Sequence, residues 1–229
     1  MNIQAVQSGL ERRTVVDEIF DQLRSDIVNL RLAPGTKISE AEVSNQFGVS
    51  RQPVREAFIR LSNMHLLQIR PQKATLVRKI SENEILNARF LRIAVELEVI
   101  RSACEAKGNP FEASFKVNLA AQKQALDDMQ ISRFHALDYD FHNLICATAR
   151  CEFAYDTIAD SKAHVDRLCM ISLSTEKGMQ EIYQDHLQLF ESLCKKDQAE
   201  MQRLIRMHIC RLDGTIASAR KQHPEYFED

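Results

Sequence analysis

Two sets of side chains in this 229-residue chain have the types and spacing to do chemistry. The first is a carboxylate with three imidazoles. Asp138 and His142 stand four apart in LDYDFH, which puts both on one face of a helix. His186 lies in QDHL and His208 in RMHI, and the Lys195-Lys196-Asp197 break between them predicts an antiparallel pair of helices across which the two rings face each other. Neutral imidazoles with a carboxylate suit Zn²⁺, Ni²⁺ or Mn²⁺, and affinity alone does not choose among them. Spacing alone leaves a second reading open, in which each histidine is structural or solvated. The other set is Arg51, Gln52 and Arg55 in FGVSRQPVREAFIRL. Cations sit there on the first turns of a helix, where the dipole favours anions. Arginine forks onto guanine O6 and N7, glutamine onto adenine N6 and N7. Free N–H groups at a helix start suit phosphate. Taken in isolation, these residues also fit the solvated face of an amphipathic helix.

The elements that must position both sets follow from periodicity. Val16, Ile19, Phe20, Leu23, Ile27 and Leu30 predict a helix over about 12–31, ended by Pro34-Gly35. Ser39 caps a short helix with Glu40 and Glu42 in its first turn, and Gly48 stops it. Ser50 is expected to cap the next helix, with Pro53 in its first turn and Val54, Ala57, Phe58 and Leu61 as its buried stripe. LLQIR and TLVR, joined by a Pro71-Gln72-Lys73 turn, predict a two-stranded hairpin. Helix, helix, tight turn, helix, hairpin is the winged helix-turn-helix order, in which the leading residues of the second helix of the pair meet base edges in the major groove.

From Ser81 onward the pattern is helical, at about 82–107, 111–129, 132–149, 151–173, 177–194 and 197–221. Ser81 with Glu84 predicts a capping box, and Ser132, Ser174 and Asp197 predict further N-caps. Gly108 and Pro110 close the first of these helices. The expected fold is therefore mainly α: a winged helix-turn-helix domain over residues 1–79 and an all-helical bundle over 80–229.

Charge follows the same division. Residues 1–79 hold 12 Lys and Arg against 8 Asp and Glu; the rest holds 18 against 24. A basic front and an acidic back imply different partners. Six cysteines without a C-x-x-C pair read as reduced, buried thiols of a cytoplasmic protein. No signal-peptide pattern opens the chain, and no apolar run approaches the ~20 residues of a membrane span. An ion with open positions is compatible with hydrolysis, but no motif places a general base, a phosphate loop or a nucleophile elbow, so no enzyme is expected.

The stretch PGTKISEAEVSNQFGVSRQPVREAFIRLSNMHLL strongly resembles the DNA-binding domain of GntR-type bacterial transcription regulators. The resemblance covers about 12–79 and implies that Ser50, Arg51, Gln52 and Arg55 face operator DNA, with Arg70 and Lys73 reaching phosphate from the wing. Two positions depart from the family pattern: Ala41 stands where many relatives have arginine, and Gln72-Lys73-Ala74 lacks the usual wing glycine. Residues 82–221 resemble the FCD ligand-sensing domain of the FadR-like branch. The matching segments are Arg92-Ile93-Ala94-Val95-Glu96, Asp138-x-x-Phe141-His142, His186-Leu187-Gln188-Leu189-Phe190 and Met207-His208. This resemblance implies a divalent metal, zinc foremost, on Asp138, His142, His186 and His208. A small carboxylate effector, an organic or sugar acid, would take its open positions. Arg92 would pair with the effector, and His164 is expected to look into the same cavity. Arg150-Cys151 replaces the usual glycine-asparagine beside it. The expected protein is a homodimeric repressor whose operator affinity the effector controls. A purely structural ion, or a hydrolase joined to a DNA-binding module, are the alternatives.

Overall fold

The computed structural model describes residues 14–70, 73–172, 175–211 and 215–228. It divides into two compact units: the chain up to Ile27 with Gly35–Arg78, and Val28–Pro34 with Lys79 onward.

The first unit is built from α1 (Val15–Val28), β1 (Lys37–Ile38), α2 (Glu40–Phe47), α3 (Arg51–Asn63), β2 (Leu67–Gln68) and β3 (Thr75–Val77). Thr14 caps α1 by exchanging hydrogen bonds with Asp17. The helix stops short of the expected residue 31 because Leu30 takes a left-handed φ of 57°; residues 12 and 13 lie outside the described residues. At α2 the capping is reciprocal. The Glu42 amide donates to Ser39 Oγ, and the Ser39 amide donates to Glu42 Oε2. Gly48, at φ 68°, ends α2 in the left-handed region. Ser50 precedes α3 with an extended backbone but makes no side-chain cap bond, so the expected hydroxyl cap is absent. Val54, Ala57, Phe58 and Leu61 are buried as their spacing demands. The expected hairpin is part of a three-stranded antiparallel sheet in the order β1-β3-β2, with Leu67 opposite Val77 and Ile38 opposite Thr75. β1 has two residues, too few to leave a periodic signal. Pro71 and Gln72 of the expected turn lie outside the described residues.

The second unit comprises α4 (Glu82–Glu105), α5 (Glu112–Asp127), α6 (Ile131–Thr148), α7 (Phe153–Ser172), α8 (Glu176–Lys195), α9 (Gln198–Cys210) and α10 (Ile216–Gln222). Ile100, Phe115, Phe141, Leu189 and Ile205, one from each of five helices, meet in its main core. Several expected caps are revised. Ser81 makes no side-chain cap bond, so the predicted box with Glu84 is absent. The start of α4 is fixed instead by the preceding residue. The Ile80 amide donates to Tyr226 O at 2.8 Å, and the Glu228 amide donates to Ile80 O at 3.0 Å, which seats Phe227 in an apolar cluster with Ile80, Ile85 and Val165. Ser132 lies inside α6, which begins at Ile131. Ser174 lies outside the described residues, and Thr175 caps α8. Asp197 caps α9 as expected. The single helix expected over 197–221 is two, α9 and α10; residues 212–214 between them lie outside the described residues. All six cysteines are free thiols; Cys146 and Cys169 are buried as expected, Cys104, Cys151 and Cys210 are half-buried, and Cys194 is exposed.

Candidate functional site

In the first unit the buried stripe of α3 turns the opposite face outward. Arg51, Gln52 and Arg55 are all exposed there. Arg55 forks onto Glu40 of α2, with Nε 3.1 Å from Oε1 and Nη2 3.0 Å from Oε2. This pair leaves 56% of the Arg55 side chain exposed, and the carboxylate raises the guanidinium pKa. Gln52 Nε2 donates to Glu56 Oε1 at 2.9 Å. Both side chains are thus held at the surface by carboxylate acceptors. Arg70 is half-buried, and its Nε and Nη2 donate to Ala74 O at 3.3 and 3.2 Å. Lys73 is exposed.

In the second unit Asp138 and His142 of α6, His186 of α8 and His208 of α9 converge, each offering one ligand atom within 4.8 Å of the others. Ring centroids of the three imidazoles lie 5.0 to 5.7 Å apart. All four residues are between 0 and 9% exposed. The Nδ1 atom of each ring is engaged from outside: His186 Nδ1 with Gln122 Oε1 at 2.8 Å, His208 Nδ1 with Asp185 Oδ2 at 3.3 Å, and His142 Nδ1 with Glu96 Oε2 at 2.8 Å. Outer acceptors of this kind fix the tautomer and leave Nε2 as the lone-pair donor. His186 Nε2 is buried with no hydrogen-bond partner and lies 3.3 Å from Asp138 Oδ1. A divalent ion would satisfy that orphaned atom, so the donor set fits one. Burial lowers the pKa of His186 and His208, favouring the neutral rings that ligation needs. For Asp138 burial works upward, but the Lys162 ammonium and His186 outweigh it and hold the carboxyl well below the usual range.

Around the quartet every charge has a partner. Arg92 of α4 donates from Nε to Glu96 Oε1 at 2.8 Å, and its Nη2 lies 3.5 Å from His142 Nε2. Burial opposes ionisation of Glu96, yet Arg92 and His142 bring its pKa to about 2. Lys162 of α7 lies between Asp138 Oδ2, at 2.9 Å, and Asp166 Oδ1. Arg211 forks onto Asp185 at 2.5 Å. A cavity beside the quartet is lined by Arg92, Asp138 and His208 together with His135, Lys162 and Asp166.

His164 is not among its lining residues. Lys162, Val165, Asp166 and Cys169 form the α7 stripe that lines it, and a residue two places from Lys162 points to another face. Sequence reasoning passed over Lys162 and Asp166. Their spacing of four was visible, but such a charged pair ordinarily marks a solvated face. The segments around Gln122 and Asp185 carry no motif that would single them out.

A winged-helix unit joined to a helical unit with a buried donor quartet defines the class of a two-domain DNA-binding regulator. Comparison with known proteins agrees. Residues 15–77 match the model of bacterial regulatory proteins of the gntR family, and residues 87–211 match the FCD domain. The chain is 37% identical over 215 residues to the HTH-type transcriptional repressor RspR of Escherichia coli, covering 94% of each. It is 30% identical over 216 residues to an HTH-type transcriptional regulator in an unstable DNA locus of Streptomyces ambofaciens, covering 94% of this chain and 90% of that one. The fold is shared with E. coli McbR/YncC, at TM-score 0.76 and 18% identity, over 93% of this chain and 100% of that one. The chain belongs to the GntR family of bacterial transcriptional regulators and carries an FCD domain. It is a DNA-binding regulator and not an enzyme. Among the described residues no helix is long and apolar enough to cross a membrane.

Proposed function

We propose that the chain is a repressor whose operator affinity is set by a small carboxylate effector at a divalent ion held by Asp138, His142, His186 and His208. The observation that carries this reading is the inward-facing donor quartet with an outer acceptor on each imidazole. Zinc is the first choice of ion, with nickel and manganese as alternatives. When bound, the ion offers open positions to an acid oxygen, and Arg92 contributes a charge-assisted donor beside it. Arg51, Gln52 and Arg55 read the operator, and Ser50 and Lys73 contact phosphate. Repression follows the name carried by the E. coli relative.

Two recognition helices one DNA turn apart require a two-fold partner. Leu86, Phe90 and Leu91 of α4 are exposed, Phe90 at 72%, and supply an apolar face for a second copy. Phe90→Glu should then yield monomers in sedimentation; an unchanged mass rejects this face. α4 begins four residues beyond Arg78 and carries both Arg92 and Glu96, so a shift of α4 on effector binding is the proposed link to operator affinity.

The test is a mobility-shift titration of operator DNA with zinc-loaded protein and a panel of small acids. At least one acid should change operator affinity; constant affinity across the panel, with acids bound, ends the coupling. A second reading has support of its own: four protein donors make a full tetrahedral set, which favours an ion that only staples the bundle. Zinc that stabilises the chain while no acid binds would establish it.

A further inference from the structure

The turn that ends α6 sets two cysteines against each other. The Cys151 amide donates to Cys146 O at 2.9 Å, and the Arg150 amide donates to Ala147 O at 3.0 Å. Arg150 between them takes a left-handed φ of 56°. This double bond pattern closes a helix so that the residues at its two outer ends pack together. Here both of those residues are cysteine, and both belong to the main apolar core, Cys146 buried and Cys151 half-buried against it. Arginine, unlike glycine, has only a narrow left-handed well at such a position, so the turn keeps its register.

The backbone bond limits how far apart the pair can be. With standard N–Cα, Cα–C and C=O lengths, an N···O contact of 2.9 Å keeps the two Cα atoms within about 6.8 Å. Disulfides bridge Cα separations of about 4.4–6.8 Å. We propose that Cys146 and Cys151 are a redox-active pair, which a peroxide converts to an intramolecular disulfide.

The two thiols take different parts. Burial pushes the Cys146 thiol up to about 12, which keeps it protonated and sheltered from solvent. Cys151 is half-buried, and its chain neighbours Ala149, Arg150 and Glu152 line an open cavity of about 680 Å³, which admits a small oxidant. The Cys151 sulfur attacks one peroxide oxygen; the O–O bond breaks, leaving a sulfenic acid on Cys151 and releasing water with the thiol proton. The Cys146 sulfur then attacks the Cys151 sulfur. The S–S bond forms, the S–O bond breaks, and the hydroxyl leaves with the Cys146 proton as a second water. Two thiols thus lose two electrons to one peroxide. The ring spans only six residues, so the bond adds little to folding and suits a reversible signal better than a staple. Cys146 lies one turn beyond His142, so the bond forms in the helix that supplies Asp138 and His142.

Trypsin cuts after Arg150, between the two cysteines, so the bond has a direct signature. The full chain is exposed to hydrogen peroxide, quenched in acid, alkylated in denaturant and digested without reductant. Residues 134–150 cross-linked to residues 151–162 should become the major form of both peptides, and dithiothreitol should separate them. Cys151→Ser should abolish the link and leave Cys146 alkylated. Cys146→Ala should stop Cys151 at the sulfenic acid, trapped by dimedone; Cys151→Ser, at the half-buried position, keeps the test valid if that variant fails to fold. Cys194→Ser, which removes the exposed thiol, should leave the link in full. Bonding of Cys151 to any other cysteine or to a second chain overturns the inference. So does a peroxide-treated chain in which Cys146 remains alkylated throughout, whether Cys151 is oxidised or not.

Discussion

In the winged-helix unit the ion pairs lie at the surface: Arg55 against Glu40 with 56% and 30% of their side chains exposed, Arg60 against Asp17 with 45% and 39%. In the helical unit Arg92, Glu96, Asp138, Lys162 and Asp166 are all 6% exposed or less. The same kinds of bond do different work in the two places. Exposed pairs contribute little to folding because water competes for both partners, so they are easily exchanged for a phosphate or a base edge. Buried pairs hold charges that water no longer solvates, and removing one partner leaves the other stranded. The first unit keeps these charges available; the second commits those around the quartet and thereby shapes a polar cavity.

The largest expected effect breaks the buried side of this comparison. Glu96→Ala strands Arg92 and removes the outer partner of His142, and should destabilise the chain by about 3–5 kcal/mol in denaturant unfolding. A loss no larger than that of a surface substitution would show that water reaches Arg92. Next comes the ion. Zinc at a hundred times its Kd should stabilise the chain by about 2.7 kcal/mol, reversed by a chelator. His186→Ala should lower the bound zinc and shrink that gain; unchanged stoichiometry rejects His186 as a ligand. On the exposed side, Arg55→Ala should weaken operator binding about ten- to a hundredfold while leaving the unfolding midpoint in place. An equal loss on random DNA makes Arg55 a phosphate contact instead.

The smallest effect is one of pH. Hydrogen bonds from Thr14 and Arg60 hold the Asp17 carboxyl at about 2, below its ordinary 3.8. A depressed carboxylate stabilises the folded chain above the unfolded value, and that contribution fades as pH falls from about 3.8 toward 2. Asp17→Asn should flatten this part of the acid limb slightly; an unchanged slope means the pair adds nothing in solution.

Much of this molecule could be read from its residues because local rules and tertiary structure agree. Ser39, Glu42 and Gly48 mark the two ends of α2 by backbone chemistry alone. The order of elements in the first unit, and the spacing of Asp138 and His142, needed no tertiary information. The positions that escaped depend on it. Lys162 and Asp166 look like a solvated pair until α6 and α4 are packed against α7. Ser50 and Ser81 have the residue type of a cap without its bond, and beside Ser81 the Ile80 backbone bonds anchor the chain instead.

The ladder between Ile80 and the last residues has a practical reach. Phe227 closes over the beginning of α4 as a clasp, and Arg220 adds a bond to Glu228 O and an ion pair to Glu82. The tail is thus a fastening for the helix that carries Arg92. Trimming residues 224–228, or joining a fusion partner so closely that it pulls them away, would loosen that fastening of α4.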